Sequence, residues 1–330
     1  MAETRFDVVG IGNAIVDVLA HADDGFLAEH ALAKGAMTLV DADTANRLYA
    51  HMAPAVECSG GSAANTIAGL ASLGGAGAFV GKVCDDQLGD VFRHDIRALG
   101  VTFDTPPLRD GAPTARSLIL VTPDAQRTMQ TCLGASAELA PGDIDPDVIA
   151  AARFTYLEGY LWDPPKAKEA YLKAATVAHD SGRMVSLSLS DPFCVERHRA
   201  EFLDLLEDHV DVLFANEAEI TSLYREDTFD AALQRVRGHC RIAALTRGEK
   251  GSVVVSGDET HVIDAEPVDR VVDTTGAGDA YAAGFLYGLT HGFGLAACAR
   301  IGGIAAAEVL GHVGARPDTA LKRLVARQLG

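Results

Sequence analysis

The sequence predicts an α/β fold in which helices cover both faces of a parallel β-sheet and a smaller β-sheet lies beside it. Short runs rich in β-branched residues alternate with segments whose apolar residues recur at helical spacing. This alternation is typical of parallel strands with helical connections. Two stretches interrupt it with strand-like segments that have no helix between them. With 48% hydrophobic and 22% charged residues among 330, the chain is not expected to be disordered.

The alternating segments can be placed in order along the chain. A first strand is predicted over 6–11, and a helix over 88–99 has Asp85 or Asp86 as N-cap and Gly100 as its stop. The other predicted strands are 154–157, 184–189, 210–214 and 242–246, and the other predicted helices are 166–179, 196–206 and 218–224. Glycines interrupt the uncharged run 280–299, which favours two buried helices over a membrane span.

The two interrupting stretches predict a small sheet that acts as a lid over a cleft. The segment 16–40 is partly strand-like. The segment 101–131 contains an apolar run at 118–121, a turn at Pro123-Asp124-Ala125-Gln126 and a mixed run at 127–131, which together indicate a β-hairpin. We therefore expect one domain over residues 1–330, with the lid inserted at about 16–40 and 101–131.

Charge and cysteine content limit the partners and the location. The chain has 28 Lys and Arg against 46 Asp and Glu, a net charge of −18. Such a surface repels phosphate backbones and anionic lipid, so we expect no nucleic-acid and no membrane partner. Six scattered cysteines without metal-ligand spacing, and no signal-peptide pattern, favour a cytoplasmic protein. A monomer and a homodimer are both compatible with the sequence.

The strongest chemical motif is DTTGAGD at 273–279, just before the uncharged helical run. A glycine-rich turn that opens a helix directs several backbone N–H groups to one position, so Gly276, Ala277 and Gly278 predict an anion hole. Asp279 falls in the first helical turn, where the helix dipole favours the ionised carboxylate. This pair of features suits phosphoryl transfer to an alcohol, because the carboxylate accepts the hydroxyl proton while the N–H groups stabilise the transferred group. A capped helix with a tight turn is the structural alternative.

A second motif, GGSAAN at 60–65, precedes the first by 213 positions. The two motifs together resemble the signatures of the ribokinase-like (PfkB) carbohydrate kinases, and the resemblance extends from residue 8 to about 317. It implies a three-layer Rossmann-like fold with a β-sheet lid. Within the family the sequence is similar to the adenosine kinases at VGIGNAIVD (9–17), LSLSDPF (187–193) and CARIG (298–302). The implied reaction transfers the γ-phosphoryl group of ATP to the 5′-hydroxyl of adenosine, giving AMP and ADP, with Asp279 as general base.

The acceptor site is predicted partly from the residues and partly from this resemblance. Asn13 and Asp17 are four residues apart on or just past a strand, so their side chains share a face, where an amide and a carboxylate can bind a vicinal diol such as that of ribose. A strand-end cap is the structural alternative. The resemblance adds Gly61 and Asn65 to the sugar site. It also implies an apolar slot for the base, for which lid or core packing is the alternative; the residues in these segments are Met37, Met129, Leu133, Tyr160 and Trp162.

The resemblance also implies where ATP and Mg²⁺ bind. Asn216 and Glu219 are similar to the family's NxxE motif, in which the Glu helps to hold Mg²⁺ through water. An N-capped helix is the alternative. Thr246, Gly248 and Gly251 are similar to a loop that contacts ATP, and a plain hairpin turn is the alternative.

The resemblance also implies a phosphate-contacting arginine and a K⁺ site. Arg127, which follows the lid turn, is similar to a phosphate-contacting arginine and would act as an electrostatic aid to catalysis. Members of the family often also use K⁺, and Asp273 and Thr275 would be its ligands here.

Three other functions are compatible with parts of the sequence. The first is a kinase of the same fold that phosphorylates ribose, fructose or a keto-deoxy sugar acid, and the second is a non-catalytic nucleoside-binding protein. The third is a dehydrogenase, because GIGNAI at 10–15 is similar to a dinucleotide-binding fingerprint. Its third glycine is missing and no nearby acid closes a second strand, so this reading is weak.

Overall fold

The structure is a computed structural model that describes residues 4–124 and 126–329. The strands are β1 (Phe6–Ile11), β2 (Ile15–His21), β3 (Met37–Leu39), β4 (Val56–Gly60), β5 (Gly77–Val80), β6 (Ala115–Val121), β7 (Arg127–Cys132), β8 (Ala152–Glu158), β9 (Met184–Ser188), β10 (Val212–Asn216), β11 (Ile242–Thr246), β12 (Ser252–Ser256) and β13 (Glu259–Ile263). The helices are α1 (Asp24–Glu29), α2 (Ala42–Tyr49), α3 (Ser62–Leu73), α4 (Gln87–Ala98), α5 (Pro146–Ala150), α6 (Pro165–Asp180), α7 (Pro192–Asp208), α8 (Glu217–Tyr224), α9 (Phe229–Val236), α10 (Ala277–Thr290), α11 (Leu295–Leu310) and α12 (Leu321–Leu329).

Eight strands form the large sheet, in the order β13-β12-β11-β10-β9-β8-β1-β5. The strands from β5 to β11 in this order are parallel, which confirms the predicted α/β class. At one edge the sheet is mixed, because β12 and β13 are antiparallel, and these two strands were not predicted. These two strands form a hairpin, whose outer strand is largely exposed and therefore lacks the continuous apolar run of a buried parallel strand.

The other five strands form the small sheet, in the order β3-β7-β6-β2-β4. The predicted hairpin is confirmed as β6 and β7, which pair antiparallel with Val121 opposite Arg127; its predicted turn includes Ala125, which lies outside the described residues. Two features of the sheet and its connections were not predicted. Helix α1 lies within the stretch read as partly strand-like, and β4 joins the sheet at its far edge. β4 is short and half exposed, so its hydrophobic pattern is weak.

The predicted helices are confirmed with shifts at their ends. Asp86 is the N-cap of α4 and its carboxylate accepts the N–H of Gly89 at 2.8 Å. Helix α7 begins four residues earlier than predicted because Asp191 caps it, accepting the N–H of Cys194 at 2.7 Å. The uncharged run forms the two helices α10 and α11. Among the described residues, no helix has both the length and the apolar character that crossing a membrane requires.

The carboxyl ends of the parallel strands meet at one edge of the large sheet. Ligands bind at this edge in open α/β sheets, because the loops there are free to carry polar groups. Glu158 ends β8, Asn216 ends β10 and Thr246 ends β11, so three polar residues from distant parts of the chain are brought to one side of the molecule.

Candidate active site

The glycine-rich turn at 273–279 opens α10 as predicted. Gly276 is the N-cap with φ +78°, and a Cβ there would lie 2.5 Å from the backbone oxygen of Ala315, so both conformation and space require glycine. A Cβ at Gly278 would meet no atom within 4 Å among the described residues. The first N–H groups of a helix have no partner within it. The Ala277 N–H donates to the backbone oxygen of Thr274 at 3.3 Å. The turn therefore presents mainly the N–H groups of Gly276 and Gly278 to open space, as an anion hole requires.

Asp279 lies in the first turn of α10 and binds two side chains of α3. Its carboxylate accepts Ser62 Oγ–H at 2.6 Å and Asn65 Nδ2–H at 3.4 Å. Burial raises the pKa of Asp279 to about 6, and the two hydrogen bonds lower it in part. Gly276, not Asp279, is the N-cap, so the capping alternative does not account for this carboxylate. Its position and pKa suit a group that accepts a proton near neutral pH.

Asn13 is held by a buried glutamate that was not predicted. Glu158 Oε1 accepts both the backbone N–H of Asn13 at 2.8 Å and its Nδ2–H at 2.6 Å, while Oε2 accepts the N–H of Ala63 at 2.6 Å. The side-chain oxygen of Asn13 is buried and has no partner among the described residues. Because Glu158 fixes the amide, that oxygen faces away from it and is free to accept a hydrogen bond from a ligand.

Gly61, at the start of α3, has φ +100°, and a Cβ there would lie 2.1 Å from the backbone oxygen of Asn13. The glycine thus allows α3 to begin directly against the loop that carries Asn13. Asn65 follows one turn later and is 7% exposed. The predicted sugar residues Asn13, Gly61 and Asn65 are therefore brought together around the start of α3, beside Asp279.

One face of the small sheet carries Asp17 and Arg127. In register, Asp17 lies opposite Ser117, which lies opposite Thr131, and Ser117 Oγ and Thr131 Oγ1 are 2.9 Å apart. Side chains alternate between the faces of a sheet, so Arg127, two pleats from Thr131, shares this face. The Arg127–Asp273 ion pair, at 2.7 Å, shows that the face is turned towards the glycine-rich turn.

The same face is apolar away from Asp17. Met37 lies opposite Met129, two residues from Thr131, so both methionines share the face with Asp17. A cavity of about 360 Å³ lies next to this row, at the ends of β3 and β7, and Leu39 and Leu133 are among its lining residues. Three of the predicted base-slot residues, Met37, Met129 and Leu133, are thus near one another.

The two aromatic residues predicted for the slot are placed differently from each other. Tyr160 follows β8 and is 38% exposed, and its backbone N–H donates to Ser190 Oγ at 3.2 Å. Trp162 is 4% exposed and packs on Tyr171 and Phe202. Trp162 therefore belongs to the core, because its large ring is enclosed between α6 and α7. For this residue the alternative of core packing is correct.

The arrangement around Asp273 tests whether K⁺ fits there. Asp273 Oδ1 accepts the N–H and Oγ1–H of Thr275 at 3.1 and 2.8 Å, and Oδ2 accepts the N–H of Gly314 at 2.9 Å as well as Arg127 Nη1. A carboxylate has about four lone-pair positions, and all are used. Arg127 thus supplies the positive charge at Asp273, and Asp273 and Thr275 do not fit a K⁺ ion while it does so.

The expected Mg²⁺ and ATP residues lie at the ends of β10 and β11. Asn216 and Glu219 form a capping box, with Asn216 Nδ2 donating to Glu219 Oε1 at 2.6 Å. Burial, together with the charges of Asp191 and Asp279, raises the pKa of Glu219 to about 7. A carboxylate in this position gains from a nearby cation, so Glu219 fits a Mg²⁺ site as well as a cap.

The loop after Thr246 connects the antiparallel strands β11 and β12, and Gly248 and Gly251 both have positive φ. It is a hairpin turn, and it also lies at the carboxyl end of β11, where a nucleotide can approach.

Three side chains of the site were not predicted from the sequence: Ser62, Glu158 and Arg316. Ser62 was inside a recognised motif. Glu158 had a weak signal, as a single acid at the end of a buried strand. Arg316 had none, because it lies in an irregular segment after α11 and its partners are more than 200 residues away along the chain.

Comparison with known proteins agrees with this geometry. Residues 37–321 match the family model described as pfkB family carbohydrate kinase. A solved adenosine kinase from Sinorhizobium meliloti is 53% identical with a TM-score of 0.91, over 99% of this chain and 100% of that one. A probable sugar kinase protein from Rhizobium etli CFN 42 is 52% identical with a TM-score of 0.92, over 99% of each chain. Probable fructokinase-6, chloroplastic, from Arabidopsis thaliana is 31% identical over 79% of this chain and 70% of its own length.

The fold and the site define a phosphotransferase of the ribokinase-like class, with an alcohol as acceptor. The chain belongs to the pfkB family of carbohydrate kinases. The resemblance read from the two glycine-rich motifs is confirmed, and the dehydrogenase and non-catalytic alternatives are excluded.

Proposed function

We propose that the protein transfers the γ-phosphoryl group of ATP to the 5′-hydroxyl of adenosine. The observation that carries this proposal is the Asp279 carboxylate, held by Ser62 and Asn65 at the opening of the anion hole. One of its oxygens takes the hydroxyl proton while the hydroxyl oxygen bonds to the γ-phosphorus and the bond from that phosphorus to the β-phosphate oxygen breaks. ADP leaves, and the N–H groups of Gly276, Ala277 and Gly278 stabilise the charge of the moving group.

Asn13, Asp17, Gly61 and Asn65 are proposed to hold the ribose. The buried side-chain oxygen of Asn13 has no partner among residues 4–124 and 126–329, so a ligand hydroxyl would satisfy it. The Asp17 carboxylate shares the face of the small sheet that is turned to the anion hole. An amide and a carboxylate on two sides of a ligand suit a vicinal diol.

The apolar residues favour a nucleoside over a free sugar. Met37, Met129 and Leu133 offer an apolar surface beside the sugar residues, and Tyr160 supplies a half-exposed ring that can stack on a base. A free sugar would leave this surface without a partner. The similarity to an adenosine kinase at 53% identity supports the same choice.

ATP and Mg²⁺ are proposed to bind between α8, the hairpin turn and α10. The buried Arg127 Nη2 has no partner among the described residues, and a phosphate oxygen would satisfy it. Glu219 would hold Mg²⁺ through water, with Asn216, Thr246, Gly248 and Gly251 near the nucleotide. When bound, Mg²⁺ neutralises phosphate charge. The free thiols of all six cysteines suit the proposed cytoplasmic location.

Adenosine is expected to be the better acceptor. Its kcat/KM should exceed those of ribose and fructose by at least about tenfold, because only a nucleoside gains energy from the apolar surface. Steady-state assays of ADP release over these three acceptors measure this directly. A ribose or fructose kcat/KM equal to or above that of adenosine would assign a sugar kinase instead, as the similarity to a probable sugar kinase at 52% identity would suggest.

Met129→Ala should lower kcat/KM for adenosine by about tenfold while leaving slow turnover of ribose unchanged, because it removes apolar surface facing the base only. Met52→Ala is the matched control, since Met52 follows α2 and belongs to none of the strands of the small sheet. Equal losses with adenosine and ribose would show that Met129 supports the fold and not the base.

The small sheet is expected to close on the acceptor. Arg127 and the predicted base residues lie on this sheet, while Asp279 lies on α10. The Arg127–Asp273 ion pair already joins the two sides, and a ligand between them would add further contacts. At an adenosine concentration 100 times Kd, amide exchange in β6 and β7 should slow by up to about 100-fold. Hydrogen-exchange mass spectrometry measures this, with β12 and β13 as the internal control. Unchanged exchange in β6 and β7 at saturation would show that no closure occurs.

A further inference from the structure

We propose that Arg316 is a positioning residue for phosphoryl transfer, which orients the amide of Asn65 towards Asp279 and supplies positive charge beside Asp17. The inference deepens the proposed function and rests on it for the roles of Asn65, Asp17 and Asp279. Arg316 lies in the irregular segment between α11 and α12, immediately after the residue that packs on Gly276.

Arg316 fixes the direction of the Asn65 amide. Arg316 Nε donates to Asn65 Oδ1 at 3.1 Å. A guanidinium has donors only, so the atom it binds must be the amide oxygen, and the amide nitrogen faces the other way. That nitrogen donates to Asp279 Oδ2 at 3.4 Å. Without Arg316, the amide could turn and place its oxygen against the carboxylate, which would repel the ionised base.

Ser59 and Asp95 anchor the Arg316 guanidinium. Its Nη1 donates to Ser59 Oγ at 2.5 Å and to Asp95 Oδ2 at 3.2 Å. The same Asp95 oxygen accepts the N–H and Oγ–H of Ser59, at 2.7 and 2.5 Å. Residues of α3, β4 and α4 therefore fix the guanidinium from three sides, and these contacts do not depend on the ligand.

Arg316 also has an unpaired hydrogen-bond donor. Arg316 Nη2 is buried and has no partner among the described residues, although Nε and Nη1 are both bound. An unpaired buried donor is costly unless a ligand or water satisfies it. Because Nε is bound to Asn65, which in turn binds Asp279, the unpaired Nη2 belongs to the same cluster of side chains, and a water molecule there can satisfy it.

Arg316 also lies close to Asp17. Its Nη1 binds Ser59 Oγ, and the Asp17 carboxylate lies against the next residue, Gly60, where a Cβ would be 2.3 Å from Asp17 Oδ2. The charges around Asp17 agree with this second effect of Arg316. Burial raises the pKa of Asp17 to about 6, and Arg316 is the strongest influence that lowers it, followed by Arg127; Asp279 raises it. The acidic groups that face Arg316 in turn are Asp95, Cys58 and Asp17. Removing the guanidinium thus raises the pKa of Asp17, and more of its carboxyl is protonated near neutral pH, when it can no longer accept two ribose hydroxyls.

The test compares Arg316→Met and Arg316→Lys with the wild type in steady-state kinetics on adenosine from pH 5.5 to 8.5. We expect Arg316→Met to lower kcat/KM at pH 7 by about 10- to 100-fold. Its KM for adenosine should rise most at low pH and recover at high pH, as the acidic limb moves upwards. Arg316→Lys keeps the charge but loses the fork, so it should keep the wild-type pH profile of KM and still lose kcat.

Arg97→Met is the matched control. Arg97 also makes several contacts, with Phe103 and Asp104, but on the side of α4 away from the acceptor site. It should lower the melting temperature without changing either pH profile. The proposal is overturned if Arg316→Met loses thermal stability as Arg97→Met does while its kcat/KM stays within threefold of wild type and its pH profile is unchanged. If Arg316→Met does not fold, an Arg316→Lys enzyme with wild-type kcat overturns it equally.

Failure of the proposed function would look different. If the wild type prefers ribose or fructose to adenosine, the adenosine assignment is wrong, and the same variants are then assayed with the preferred sugar. Arg316 is expected to show the same kcat and pH effects there, because Asn65, Asp17 and Asp279 contact the sugar and its reacting hydroxyl in either case. Wild-type kcat and pH profiles for Arg316→Met with that sugar overturn the positioning role.

Discussion

Asp279→Asn should lower kcat by about two to four orders of magnitude, the usual contribution of a general base. The substitution keeps the size of the side chain and its ability to accept from Ser62, but it removes the group that takes the hydroxyl proton. KM for adenosine should change little, because other residues are proposed to hold the ribose. In the wild type, kcat should fall as the pH drops through about 6, where Asp279 becomes protonated; the residual activity of the variant should not show this limb.

The control is Asp258→Asn, an exposed aspartate in the turn between β12 and β13. It should have wild-type kcat and the same melting temperature as Asp279→Asn within a few degrees, since Gly276 and not Asp279 caps α10. A loss of kcat smaller than about tenfold in Asp279→Asn, far below a general base's share, would mean that another group accepts the proton.

Glu158→Ala should lower the free energy of unfolding by about 2 to 6 kcal/mol, because two buried backbone N–H groups and the Asn13 amide lose their acceptor at once. Glu158 is fully buried, so water cannot replace it without a cavity. Urea unfolding monitored by circular dichroism measures the change. Acceptor binding should weaken too, because the Asn13 amide is no longer fixed.

The role of Glu158 can also be measured from the pH dependence of the free energy of unfolding. Burial raises the pKa of Glu158 to about 7, above its ordinary value of 4.5. The folded state therefore holds this proton more tightly than the unfolded state, and the stability that it adds is complete below pH 4.5 and is lost as the pH rises through about 7. Glu158→Gln should flatten that decline relative to the wild type. Glu138→Gln, at an exposed glutamate, is the control and should leave both the stability and its slope unchanged; a wild-type slope in Glu158→Gln would show that Glu158 does not titrate in this range.

The elements that were predicted correctly are those whose signals are local. The helix over 88–99 has an apolar stripe, an acidic N-cap and a terminal glycine within fifteen residues, and α4 has nearly those bounds. The two glycine-rich turns were recognisable because the backbone conformations at Gly61 and Gly276 exclude other residues. β4 and the hairpin of β12 and β13 were missed, because edge strands are partly exposed and their periodicity is weak.

The residues of the candidate site also fall into predicted and unpredicted groups according to whether their signal is local. Asp279 and the glycines around it were predicted because they form a short motif. Glu158 and Arg316 act through hydrogen bonds to residues 95 to 257 positions away, and no local pattern encodes such pairs. Arg127 was predicted for a phosphate, and its partner Asp273 for a cation. The ion pair between them could not be read from the sequence, because it depends on how the small sheet is turned.

The hydrogen bond between Ser62 and Asp279 affects the order in which the protein can fold during synthesis. It joins residues 217 positions apart, so the ribosome must synthesise most of the chain before the base can meet its partner. Contacts of such separation form late and slowly, because a long loop has to close first. A chain that stops before α10 thus lacks Asp279 and has only part of the proposed site. Conversely, a small molecule that binds across the two halves ties the beginning of the chain to its end, and so favours the whole folded state over any partly folded one.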